Sequence, residues 1–329
     1  MQRFSRLNPA TADQAVLTVS GASGVARFLA GGTTMVDLMK LDVERPTTLI
    51  DITGIGDLRE IRTDGGELIF GALVHMSDVA ENALVKRDYP LLSEALWKAA
   101  SQQLRNMATL GGNLLQRTRC TYFRDTQFPC NKREPGSGCS AIEGLNRGHA
   151  LFGASDHCIT VYPGDWAIAL VAMDAVIDTQ SPRGLRTIAV ADLHRRPGDT
   201  PHIETALATD ELILRTRVPA SRLGKRSTYQ KVRDRESYAF ALVSAAVALD
   251  LDGETVRDAR ISLGGVATIP WRAKDAEQSL IGQRLTEDMA RQAGRVAFSN
   301  AETRPQNAFR ARLGIETVAD ALLIAKGRG

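Results

Sequence analysis

Aromatic residues are scarce, at 5% of 329 positions, too few for a surface that stacks nucleic-acid bases. Charge of one sign is scarce as well. Forty-one lysines and arginines face 38 acidic residues, a net of +3, and no basic cluster upsets that balance, so no nucleic-acid partner is expected. Long hydrophobic runs are missing. Residues 166–173 and 239–249 come nearest, but they are short or interrupted by Ser244, well under the ~18 apolar residues of a membrane helix. No membrane insertion is expected, and Met1-Gln2-Arg3-Phe4-Ser5-Arg6 leads to Pro9 without the apolar stretch of a secretory signal. The sequence also lacks a P-loop, a G-x-S-x-G elbow, an H-E-x-x-H helix and paired carboxylates at catalytic spacing. His75, His194 and His202 stand alone and read as ordinary loop or surface histidines. No catalytic residue is assigned to this chain.

What is present is an ordinary globular composition, 43% apolar and 24% charged, in a length that suits two or three domains. Thr11 followed by Gln14 reads as a helix cap before residues 12–16. A strand over 25–30, a helix over 35–41 and a strand over 47–52 make a β–turn–α–β unit. Short strands around the Gly65-Gly66 turn follow, then helices near 78–84 and 90–101, a helix over 165–175, and strands at 176–178 and 212–218. A polar stretch at 219–226 marks a boundary. Beyond it, strands over 227–233, 239–249 and 259–267 turn at Asp252-Gly253, and helices fill 273–280, 287–297 and 309–325.

Two glycine-rich segments could hold an anion. In Leu29-Ala30-Gly31-Gly32-Thr33-Thr34-Met35, glycines between a strand and a helix let backbone N–H groups approach a pyrophosphate, and the helix start adds partial positive charge. Thr109-Leu110-Gly111-Gly112-Asn113 is a second such turn, and the two could clasp both ends of one extended ligand. Either could also be a plain turn.

All four cysteines, Cys120, Cys130, Cys139 and Cys158, fall within 39 residues. They lie in or beside a segment, 116–157, with no sustained periodicity, and a loop that long inside a domain is uncommon unless something holds it. Disulfides need an oxidising compartment. Structural zinc prefers C-x2–4-C pairs, which are absent, and His149 and His157 do not improve the spacing. Four thiolates from irregular chain suit a [4Fe–4S] cluster. The spacing favours the cluster and leaves all three open.

Taken in order, Ala30-Gly31-Gly32-Thr33, Gln103-Leu104-Arg105-Asn106-x-Ala108-Thr109-Leu110-Gly111-Gly112-Asn113-Leu114 and Tyr162-Pro163-Gly164-Asp165 resemble the FAD-binding subunit of the xanthine oxidase, or molybdenum hydroxylase, family. Tyr229-Gln230-Lys231-Val232-Arg233 and Leu263-Gly264-Gly265-Val266-Ala267 with Pro270-Trp271-Arg272 extend the match over essentially the whole chain. The cysteine segment resembles the subgroup with an extra [4Fe–4S] cluster, as in the flavin subunit of periplasmic aldehyde oxidoreductases. The resemblance implies an α+β protein: a two-subdomain FAD-binding fold of the p-cresol methylhydroxylase/vanillyl-alcohol oxidase (PCMH) type, then a C-terminal α+β domain with a small antiparallel sheet and helices. The expected divisions are 1–56, 57–222 with the insert at about 116–158, and 223–329.

By the same resemblance, Leu29, Ala30, Gly31, Gly32, Thr33, Thr34 and Met35 hold the FAD pyrophosphate. Thr109, Gly111, Gly112, Asn113 and Asp165 contact the flavin side, Ile213 and Lys231 lie near the isoalloxazine ring, and Cys120, Cys130, Cys139 and Cys158 ligate the cluster. Gly164 departs from the serine that relatives often place there, and any hydroxyl contact from that position is lost. The implied partners are a small subunit with two [2Fe–2S] clusters and a molybdopterin subunit that oxidises the aldehyde, in a heterotrimer. Such a trimer would reach the periplasm on a partner's signal, and otherwise stay in the cytoplasm. The competing readings are a stand-alone FAD oxidoreductase with its own small substrate and a zinc-stapled binding module.

Overall fold

A computed structural model describes residues 1–328. Its first layer is a parallel sheet of β1 (Ser5–Leu7), β2 (Ala26–Leu29) and β3 (Thr48–Asp51) in the order β1-β3-β2. The helix Ala12–Gly21 joins β1 to β2, with the Thr11 hydroxyl accepting from the Gln14 N–H at 3.2 Å. The helix Met35–Lys40 joins β2 to β3, which is the expected β–turn–α–β unit. β1 has no counterpart in the sequence reading: all three of its residues are exposed, so no apolar alternation announces it.

The second layer is an antiparallel sheet of β4 (Ile61–Asp64), β5 (Glu67–Gly71), β6 (Val176–Ser181), β7 (Gly184–Ala189) and β8 (Leu212–Val218), ordered β4-β5-β8-β6-β7. Helices Met76–Glu81, Ala83–Asp88, Pro90–Trp97 and Trp166–Ala172 share its core. Every residue of Trp166–Ala172 is buried, as befits a helix that is apolar all round. The helix expected over 90–101 stops at Trp97, and Ala100 turns into the left-handed region at φ 47°.

The third sheet is antiparallel: β9 (Ser227–Val232), β10 (Val243–Asp252), β11 (Thr255–Gly264) and β12 (Trp271–Arg272), in the order β12-β11-β10-β9. Alternate residues of β10 face opposite sides. Ala246 and Ala248 enter the core of the second layer. Ala245, Val247 and Leu249 pack with helices Lys274–Leu280, Glu287–Ala297 and Phe309–Lys326. Burial on both faces explains why 243–249 is apolar at every position but Ser244. The mixed α/β architecture with a C-terminal antiparallel sheet is as expected. Among the described residues no helix is long and apolar enough to cross a membrane.

Candidate cofactor site

The first glycine segment leaves β2 at Leu29 and enters the helix at Met35. Gly32 sits at φ 71°, a conformation natural to glycine. The carbonyls of Gly32 and Thr34 accept from Val36 and Leu38 at 2.9 and 3.0 Å. The N–H groups of Gly31, Gly32, Thr33, Thr34 and Met35 find no acceptor among the described residues. Five successive free donors are backbone that an anion can accept from. A Cβ on Gly32 would make ordinary van der Waals contact with the Leu29 and Val36 side chains, both at 3.5 Å.

Gly31 serves a different purpose. A Cβ there would strike the Met107 carbonyl and sit 3.1 Å from the Ala108 Cα. Its hydrogen side chain lets the first segment lie directly on the chain that leads into the second. The two motifs, some eighty residues apart in sequence, are thereby neighbours.

The second segment is not a glycine turn. Leu110–Leu114 is a short helix capped by Thr109, whose hydroxyl accepts from the Gly112 N–H at 3.3 Å. The N–H groups of Leu110, Gly111 and Asn113 already donate to Val74, Ala72 and Thr109 carbonyls, so this backbone offers no run of free donors like the first. Gly111 is small because a Cβ would lie 2.9 Å from that of Ala72. The polar group left for a ligand is the side chain of Asn113, whose Nδ2 lies 3.3 Å from the Met76 sulfur while its buried Oδ1 has no donor. An orphaned buried acceptor suits a ligand N–H.

Asp165 and Lys231, expected at the flavin, are found together. Lys231 Nζ donates to Asp165 Oδ2 at 2.8 Å and to the Lys98 carbonyl at 3.1 Å. Tyr229 Oη lies 2.6 Å from Asp165 Oδ1 and 2.8 Å from Ser244 Oγ. Lys98 Nζ reaches back to the Tyr229 carbonyl. The Asp165 and Lys231 side chains are 6% and 1% exposed, so they bind each other across the junction between the FAD-binding region and the C-terminal sheet. Burial, with Asp165 beside it, pushes the Tyr229 hydroxyl well above the usual range and keeps it neutral. Tyr229, Lys98 and Ser244 were not singled out as site residues; the i, i+2 spacing of Tyr229 and Lys231 on one face of β9 was the available signal. Ile213 is buried in the core that holds Trp166 and Phe70. At Gly164, a Cβ would collide with the Tyr162 ring and hydroxyl, which leaves no room for a serine beside that ring.

The cysteine segment contains one short helix, Thr121–Arg124, and a bridge pairing Cys130 with Cys139. Side chains hold it throughout. Arg133 donates to the Tyr122 and Phe123 carbonyls at 2.8 and 2.7 Å. Lys132 reaches the Pro201 carbonyl at 2.8 Å, and Arg117 clamps Glu44 and Glu204, both at 2.5 Å. Phe123 and Cys130 pack on Leu38, and Arg124 pairs with Asp37 at 2.9 Å; both belong to the helix that follows the first glycine segment.

All four cysteines are free. Burial pushes the Cys120 thiol up to about 11 and the Cys158 thiol up to about 12, and Cys130 and Cys139 lie near enough to both to add to the rise. Cys120 Sγ is 3.3 Å from His149 Nε2. Burial and the Arg310 guanidinium push the His149 imidazole down to about 4, so it is neutral at physiological pH. Among the described residues no three His, Cys, Asp or Glu side chains are placed to hold one metal ion. Sequence reasoning missed the His149–Cys120 contact, because 29 residues and no periodicity separate the two.

Residues 2–221 match the family model described as the FAD binding domain in molybdopterin dehydrogenase, and residues 227–325 that of the CO dehydrogenase flavoprotein C-terminal domain. The chain is 47% identical over 329 residues to the aldehyde oxidoreductase FAD-binding subunit PaoB of Escherichia coli (strain K12), covering 99% of this chain and 98% of that protein. It is 26% identical over 288 residues to the glyceraldehyde dehydrogenase medium chain of Sulfolobus acidocaldarius, covering 88% and 84%. Among solved structures, it is similar to a chain of carbon monoxide dehydrogenase from Hydrogenophaga pseudoflava, with a TM-score of 0.77, 26% identity and 98% and 97% coverage.

Proposed function

Since the chain belongs to the FAD-binding subunits of the molybdenum hydroxylase family, we propose that it is the flavin-bearing electron-transfer subunit of a molybdenum-dependent aldehyde oxidoreductase. Full-length similarity to an aldehyde oxidoreductase subunit supports the reaction class. The observation that carries the cofactor assignment is the run of five unpaired N–H groups at residues 31–35, laid by Gly31 against the segment that ends in the orphaned Asn113 oxygen. In this reading residues 29–35 take the pyrophosphate and Thr109, Gly112 and Asn113 the flavin end. Gly111 and Ile213 shape the wall, and Asp165 and Lys231 hold the junction beside the ring. When bound, FAD receives electrons from one redox partner and releases them to another. The chain's own residues bind it, orient it and separate it from solvent.

The same reading divides the chain at 1–56, 57–222 and 223–329. It gives Cys120, Cys130, Cys139 and Cys158 to a [4Fe–4S] cluster. The donor set supports this: four free thiols in one segment, two of them buried, equal the usual ligand number. A cluster differs from a lone ion in that each thiolate meets its own iron, so the four need not converge on one point. The partners are a [2Fe–2S] subunit and a molybdopterin subunit where the aldehyde is oxidised, and the complex is periplasmic by co-export with a signal-bearing partner or otherwise cytoplasmic. Co-expression with both partners tests the assignment. The assembled complex reduces its bound flavin on addition of aldehyde, and the isolated chain does not. An isolated chain that oxidises aldehyde unaided contradicts it.

A further inference from the structure

His149 is held by more bonds than a loop histidine needs. Its N–H donates to the Asn146 carbonyl at 3.0 Å. Its own carbonyl accepts from Arg310 Nη1 at 2.7 Å and from Asn307 Nδ2 at 3.3 Å. Arg310 is 1% exposed and also donates to the Leu242 carbonyl, at 2.7 Å through Nη2, and to that of Gly265. A buried guanidinium, itself held by carbonyls at the ends of β10 and β11, therefore fixes the backbone from which the imidazole projects. The ring ends with Nε2 at 3.3 Å from Cys120 Sγ and with a buried Nδ1 that has no partner.

Building on the cluster assignment above, we infer that His149 is a positioning residue that donates its Nε2–H to the ligating Cys120 sulfur and thereby raises the reduction potential of the cluster. The chemistry selects the tautomer. A cluster-bound thiolate carries no proton and can only accept, so the contact is favourable only with the hydrogen on Nε2. Nδ1 is then a bare, unpaired acceptor. A hydrogen bond to a ligating sulfur withdraws electron density and favours the more negative, reduced cluster. Arg310 and Asn307 make this setting dependent on the docking of the C-terminal helix Phe309–Lys326 and the loop before it.

The test uses the assembled complex and a redox titration followed by low-temperature EPR, where four-iron signals separate from those of two-iron centres. Iron and acid-labile sulfide are measured first on the wild type. Their absence removes the cluster assignment, and this inference with it. With the cluster present, H149F is expected to keep its iron, sulfide and FAD while the four-iron midpoint moves to a more negative potential. H149Q, which retains an N–H donor, stays closer to the wild type. A midpoint unchanged in H149F with the cluster intact overturns the inference and leaves the cluster assignment standing. If both variants lose the cluster, pulsed EPR of the reduced wild type labelled with 15N-histidine decides: a histidine nitrogen coupled to the four-iron signal supports the hydrogen bond, and its absence overturns it.

Discussion

Adjacent glycines do different work here, and the difference can be measured. Gly31 is small because the Met107 carbonyl occupies the space of a side chain. At Gly32 a Cβ would only touch the Leu29 and Val36 side chains, but the residue adopts φ 71°. Gly31→Ala must push the two motif segments apart and should destabilise the fold by about 1–3 kcal/mol, the usual cost of overpacking. Gly32→Val carries backbone strain of roughly 1–2 kcal/mol, but its Cβ meets only side-chain ends at contact distance, so it should fold and lose FAD. Denaturant midpoints and flavin absorbance after gel filtration separate the two. A soluble Gly32→Val protein with stoichiometric FAD would remove the pyrophosphate assignment. The Asp165–Lys231 pair makes a second prediction at this scale. Lys231→Met leaves a carboxylate, 6% exposed, with only the Tyr229 hydroxyl, and breaking a buried pair costs about 3–5 kcal/mol. Asp165→Asn in the same protein should recover part of that loss, as urea unfolding would show.

Among the elements, Asp178 ties three strands of the second sheet. From β6 it accepts from Arg215 of β8 at 2.7 Å, from Arg217 of β8 at 3.1 Å and from Thr187 of β7 at 2.8 Å. Burial works to raise its pKa, but the bonds from Arg217, Arg215 and Thr187 outweigh that and hold it below the usual value. A carboxyl depressed in the folded state stabilises above its unfolded pKa of about 3.9, and the benefit fades as pH falls through the lower folded value. Asp178→Asn should therefore be less stable than the wild type at pH 7, and the gap should narrow below about pH 4. A gap that stays constant across the range would mean that the carboxylate charge contributes nothing. The same sheet shows why reading elements from sequence has limits. β10 is legible because both faces are buried and its run is apolar. β7 is an edge strand, and its first four residues are exposed, so it carries no pattern. The Gly111-Gly112 pair signals a turn to any local rule, yet the segment is helical because the Thr109 hydroxyl caps it and Ala72 packs closely against it. The Gly31-Gly32 pair was legible as the turn between a strand and a helix. Their distinct roles were not, because one depends on a carbonyl at position 107.

In the whole molecule, the cysteine segment joins parts that sequence order keeps apart. Arg117 reaches Glu44 and Glu204, Phe123 packs on Leu38 behind the first glycine segment, and Arg310 of the C-terminal region holds the carbonyl of His149. The clustering of four cysteines was visible in the sequence, but the side chains that anchor the segment were not, because each finds its partner across tens of residues. A redox group in this segment would thus stand between the flavin motifs and the C-terminal sheet. In the proposed function one chain holds both a flavin and an iron–sulfur cluster. Quantifying FAD, iron and acid-labile sulfide in the purified chain, on the sample that gives its visible spectrum, tests this most directly. The account predicts one FAD with about four irons and four sulfides per chain, seen as flavin bands on a broad iron–sulfur shoulder. Folded protein with flavin but without iron and sulfide would contradict the cluster, and folded protein with no flavin would contradict the account at its base.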